Sequence, residues 1–169
     1  MTTPIRILGI DPGLNGGYAV ITSTGQLIQA SHFPTHQIKK NGKNSTQLDG
    51  VALADALKAT NATHAFVEVV SSRPRQAGQF QFGVNCGLVH GILNALDIPF
   101  TLVAPASWKS AFGIKRQEDE TKAQIKSEAR AKAAHWFPDH EHLFRRVKDD
   151  GVAEATLIAF YGIYLLAQK

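Results

Sequence analysis

The stretch from Val152 to Ala167 presents apolar side chains on nearly every face of a helix, so the rest of the chain must enclose it on most sides. No apolar run reaches the roughly 18 residues of a membrane span, so the enclosure has to be protein. Short apolar runs upstream can supply it. Arg6 to Ile10 reads as a buried strand stopped by Asp11-Pro12-Gly13, Tyr18 to Thr22 as a second, and Gln26 to Phe33 as a third that completes a meander. Ala65 to Val70 and Phe100 to Val103 follow as strands four and five. Helical spacing covers Leu48 to Thr60, Gly78 to Leu96 and Thr121 to Trp136, while the polar, aperiodic stretch from Thr35 to Gln47 reads as a loop. The order of elements predicts an α/β fold: a mixed five-stranded sheet with helices on both faces and polar groups gathered at one sheet edge.

A chain of 169 residues fits one domain, 1–169, with 44% apolar and 19% charged residues, which excludes disordered, collagenous and long coiled-coil classes. The start, Met1 to Arg6, lacks the segments of a secretory signal, and the lone Cys86 can neither close an internal disulfide nor cage zinc by itself. A soluble protein in a reducing compartment is expected. The net charge of +4 is localised. Arg73, Arg75, Lys109, Lys115 and Arg116 face only Asp97 between Val69 and Gln117, and the remaining charges cancel. A localised positive surface is the usual footprint of a polyanion partner.

Carboxylates stand where burial should forbid them. Glu68 lies in an apolar strand, on the same face as Phe66 and Val70, where an unpartnered ionised carboxylate would cost several kcal/mol. Asp11 closes the first strand, and the Pro-Gly that follows fixes its direction with rigid backbone. Asp150 and Glu154 open the apolar helix four residues apart, about 40° round its axis, and so share a face, whereas Asp149 diverges from Glu154 by about 140°. Helix capping could account for one aspartate but not for Glu154, because a capping box places the acid three residues after the cap. Four converging acids call for cations, and a few hard oxygen ligands favour magnesium, with manganese as its substitute, over zinc. Two such ions about 4 Å apart can activate a water and stabilise the leaving oxygen of a phosphodiester.

With Gly9-Ile10-Asp11-Pro12-Gly13 on strand one, Glu68 in strand four, Gly83, Gly87 and Leu88 in the next helix, Pro105-Ala106-Ser107-Trp108-Lys109, and Asp150-Gly151-Val152-Ala153-Glu154-Ala155, the chain resembles the RuvC-type Holliday-junction resolvases of the ribonuclease-H-like superfamily, in particular their phage-encoded branch. The resemblance runs over almost the full length. It implies a ribonuclease-H-like fold and a homodimeric, magnesium-dependent endonuclease that nicks two opposed strands of a four-way DNA junction, in a bacterial cytoplasm or a phage-infected cell. Asp11, Glu68, Asp150 and Glu154 become the metal ligands and Lys109 a phosphate-binding lysine. Many members place the third acid three residues before the fourth, where this chain has Gly151, so Asp150 rather than Asp149 rests on helix geometry. Glutamate also replaces the commoner aspartate at Glu154. An aromatic wedge found three residues after the strand glutamate in many cellular members is Ser71 here, and Phe80 or Phe82 could substitute.

Around these residues, Arg73, Arg75, Lys115 and Lys122 are candidate phosphate contacts. Trp108 reads as a core anchor. The row Gly83, Gly87, Gly91 weakens its helix by roughly 1 kcal/mol per glycine and so calls for a backbone packed close against it, the sheet of the same chain before that of a partner subunit. Hydrolysis of RNA·DNA hybrids and a branched-DNA-binding module without chemistry are the alternative readings; an actin-like kinase would need two repeated halves that this length does not hold.

Overall fold

A computed structural model describes residues 5–69, 78–114 and 121–168. Five strands form one sheet: β1 (Arg6–Asp11), β2 (Gly17–Thr22), β3 (Leu27–His32), then, after an intervening β-hairpin β4 (Thr35–Lys40) and β5 (Lys43–Leu48), β6 (His64–Glu68) and β7 (Phe100–Val103). Their spatial order is β3-β2-β1-β6-β7, antiparallel across β3-β2-β1 and parallel across β1-β6-β7. The mixed five-stranded sheet therefore stands as the sequence predicts.

Helices cover both faces. On one side α1 (Gly50–Ala59) and α2 (Gln79–Ala95) bury Leu53, Leu57, Val89 and Leu93 against Leu8, Ile10, Val20 and Val67. On the other lie α3 (Pro105–Ala111), α4 (Lys122–Trp136) and α5 (Asp150–Leu166), packed on Ile7, Ala19, Ile21 and Phe66. Each strand thus deals alternate side chains to two cores. All residues of α5 from Asp150 to Ala159 are buried, the enclosure its apolar sequence demanded. It can lie so close to β1 because Gly9 has no side chain: a Cβ there would strike the backbone of Ala155 and Ala159. Among the described residues no helix is long and apolar enough to cross a membrane.

Two sequence expectations change. The stretch from Thr35 to Gln47 is not a loop but the separate two-stranded sheet β4-β5, turned at Asn41 and Gly42, whose φ angles of 51° and 74° suit a two-residue hairpin turn. Its strands bury no face, so they carry no alternating apolar signal; the Asn-Gly pair was the readable cue. The segment Pro105–Ala111 forms the unexpected short helix α3, begun by proline in its first turn.

Candidate metal centre

The parallel register of β1 and β6 sets Gly9 opposite Phe66 and Ile10 opposite Val67, and one step further brings Asp11 and Glu68 to the same sheet edge. Alternation places Asp11 with Ile7 and Gly9, and Glu68 with Phe66, on the face that α5 covers. Glu154 reaches the same point from α5. One carboxylate oxygen from each of Asp11, Glu68 and Glu154 lies within 4.8 Å of the other two. Three distant segments therefore deliver acid to one spot.

Local structure holds each acid. The turn after Asp11 is tied by the Gly13 amide, which donates to Asp11 Oδ1 at 3.3 Å, and by the Gly16 amide donating to the Gly13 carbonyl at 2.9 Å. Glu68 ends β6 and accepts a hydrogen bond at 2.9 Å from the indole Nε1 of Trp108, a fully buried side chain on α3. Trp108 is the core anchor the sequence suggested, and it also orients a site carboxylate. The Lys109 ammonium sits 4.9 Å from the Trp108 ring centroid and 3.4 Å from Glu154 Oε1.

Crowding raises the affinity of these carboxylates for protons. Burial, then the charges of Glu154 and Glu68, pushes Asp11 up to about 7 from 3.8, against the opposing pull of the Gly13 amide and Lys126. Burial and then Glu154 likewise raise Glu68, while Lys109, Trp108 and Lys126 act against the shift. Lysine charge offsets the repulsion only in part, so a site of hard oxygen donors remains short of positive charge. Such a donor set fits a divalent ion of the magnesium type.

Asp150 stands apart from this cluster. Its carboxylate accepts a hydrogen bond from Arg130 and lies 3.4 Å from Lys126, both on α4. The shared helix face with Glu154 is real, but α4 packs beside the first turn of α5 and supplies two cations there. Asp149 is fully buried and turned elsewhere: the Arg146 guanidinium donates to it at 2.8 Å and His32 Nε2 lies 3.1 Å away. Burial would raise Asp149, but hydrogen bonds from the Arg146 side chain and amide and from His32 outweigh it and bring it down to about 2. Neither aspartate caps α5 through its side chain. Arg130, Arg146 and His32 escaped sequence reasoning because the contacts between these elements follow no local spacing.

The structure gives a reason for glycine at Gly151, where the sequence resemblance would place an acid. A Cβ at this position would strike the Asn15 carbonyl and stand 2.6 Å from the Gly16 Cα, because the first turn of α5 rests on the loop between β1 and β2. No acid can occupy it without moving that contact.

Of the other candidates, Phe82 is half-buried near Gly13 in the Asp11 turn, and Phe80 is 83% exposed on α2. Arg73, Arg75 and Lys115 lie outside the described residues, as does the side chain of Lys122. The glycine row does not pack on the chain's own sheet: Gly83, Gly87 and Gly91 are exposed, and a Cβ on each would meet nothing within 4 Å. Cys86 is half-buried, its thiol pushed up by burial and by the charge of Asp11.

No protein-family model matches the chain, and no curated protein does. Solved structures do. Thermus thermophilus RuvC in complex with a Holliday junction substrate superposes over 96% of each chain with a TM-score of 0.63 at 13% identity. Fowlpox virus resolvase, in complex with substrate Holliday junction DNA, covers 96% of this chain and 99% of its own with a TM-score of 0.58 at 13% identity. A second structure of Thermus thermophilus RuvC covers 97% of both chains at 16% identity with a TM-score of 0.57. The chain resembles RuvC-type resolvases in fold, and that fold is ribonuclease-H-like.

Proposed function

We propose that the chain is a magnesium-dependent endonuclease for branched DNA, which resolves four-way junctions by hydrolysing phosphodiesters. The observation that carries the reading is the meeting of Asp11, Glu68 and Glu154 within 4.8 Å, at a sheet edge with too little basic charge to balance them. Likeness in fold to two proteins solved with Holliday junction DNA supports the substrate class.

Asp11, Glu68 and Glu154 would hold the metal. Divalent ions bound there supply Lewis acidity to a water and to the phosphate being cut, and two ions acting together are the expected arrangement. The protein's share is position and charge. Asp11 is fixed by the turn after β1, and the Trp108 N–H engages only one oxygen of Glu68, so among the described residues the other can serve as a ligand. Lys109, held near Glu154 by the Trp108 ring, is placed to meet the scissile phosphate when DNA arrives. Asp150 joins the ligand set only if it leaves Arg130 and Lys126. Exposed Val84 and the open glycine row of α2 support a homodimer through this helix, and paired subunits would give paired nicks across a junction. Arg73, Arg75, Lys115, Lys122, Phe80 and Phe82 complete the proposed DNA contacts, and the reading places the enzyme in the cytoplasm of a bacterial or phage-infected cell.

The test is a substrate panel in magnesium or manganese: a synthetic four-way junction, linear duplex and an RNA·DNA hybrid. The reading predicts junction nicking by the wild-type protein and a loss of at least about a hundredfold in Asp11→Asn. Preferential cutting of the hybrid would move the substrate class to RNA, and junction binding without turnover would leave a binding module.

A further inference from the structure

The hairpin β4-β5 has no part in the five-stranded sheet and joins the core only through Leu48 at its base, while its turn end is exposed. Its place is nevertheless informative. Asp11 stands opposite Gly17, and Gly17 opposite His32, so β3 ends at the same sheet edge that carries the carboxylates. Two residues later the chain enters the hairpin, whose base is clamped where the Asp49 amide donates to the Pro34 carbonyl at 2.9 Å. The arm therefore springs from the edge where the proposed chemistry occurs.

Its chemistry is one-sided. From Thr35 to Leu48 there are three lysines and one histidine and no acid. Lys39 and Lys43 are exposed, and neither has an acidic partner among the described residues. A two-stranded sheet is marginal on its own, so a contact with an external partner would steady this one. Six residues at about 3.3 Å each give each strand a length of roughly 20 Å. Along one strand of duplex DNA that equals about six phosphates.

We infer that the β4-β5 hairpin is a phosphate-gripping arm that lies along the backbone of a DNA duplex flanking the cut site, with Lys39 and Lys43 as its contacts. The inference rests on the nuclease reading and adds a second contact surface to it. The occupant is the nucleic-acid backbone, because exposed lysine charge recognises phosphate and carries no base sequence.

The experiment measures binding of a fluorescent four-way junction to the full chain in calcium at several salt concentrations, with strand integrity checked on a denaturing gel. Wild type, Lys39→Gln/Lys43→Gln and the charge-keeping Lys39→Arg/Lys43→Arg are compared, and their melting temperatures confirm equal folding. The double glutamine variant should bind roughly tenfold more weakly or worse, and its plot of log affinity against log salt should flatten by about two contacts' worth, while the arginine variant keeps the wild-type slope. Equal affinity and slope in wild type and glutamine variant, with wild type cutting the junction in magnesium, would overturn the arm alone. A wild-type protein that neither binds nor cuts any nucleic acid would overturn the nuclease reading and the arm with it.

Discussion

Asp11 shows what the cluster costs when no cation is present. Its carboxyl is pushed up to about 7 against 3.8 in the unfolded chain, so between those values the folded protein holds a proton that the unfolded chain has released. Stability of the metal-free protein should therefore fall as pH rises from about 4 to about 7 and stay low above, the opposite of an ion-paired acid. Asp11→Asn removes the part of the dependence that Asp11 carries, while the raised Glu68 keeps its own. We expect the variant to match wild type near pH 4 and to exceed it at pH 8 by about 1–3 kcal/mol in chelator, a range reduced for partial exposure. Denaturant melts at the two pH values check this. A variant no more stable than wild type at pH 8 would show that the three acids are already satisfied by protein.

At the scale of elements, α5 is the piece that assembles the site, because it brings Glu154 over a strand edge that β1 and β6 have already equipped. Its seating depends on Gly9 beneath its middle and on Gly151 at its start. Gly151→Ala would drive a methyl into the backbone at Asn15 and Gly16, and overpacking of that kind costs about 1–3 kcal/mol. Chemical denaturation should register the loss, with metal affinity falling alongside as Glu154 shifts; unchanged stability would mean the contact is loose. Sequence reasoning reached α5 because an all-round apolar helix has one explanation, and it reached Asp11, Glu68 and Glu154 because buried acid has few. It could not reach Arg130. Nothing in the spacing of α4 says that it will lie beside the start of α5, so Asp150 read as a fourth ligand where the structure gives it two cationic neighbours. The hairpin β4-β5 was missed for the complementary reason: a strand pair with no buried face leaves only its turn residues as a signal.

For the whole molecule, the fold gathers acidic charge at one sheet edge. Acid concentrates where β1, β6 and α5 meet, Lys109 of α3 and Lys126 of α4 stand beside it, and the proposed arm would add Lys39 and Lys43. A metal-filled acidic centre ringed by phosphate-seeking side chains is how a protein can draw in a polyanion and still cut it. The chain shares its fold with Thermus thermophilus RuvC and with the fowlpox virus resolvase. Everything then depends on whether the acidic centre takes up metal. The most direct measurement is anomalous scattering from crystals of the full chain soaked in manganese. The account predicts density in direct contact with oxygens of Asp11, Glu68 and Glu154; manganese absent from that point, with the three carboxylates still gathered there, would contradict it.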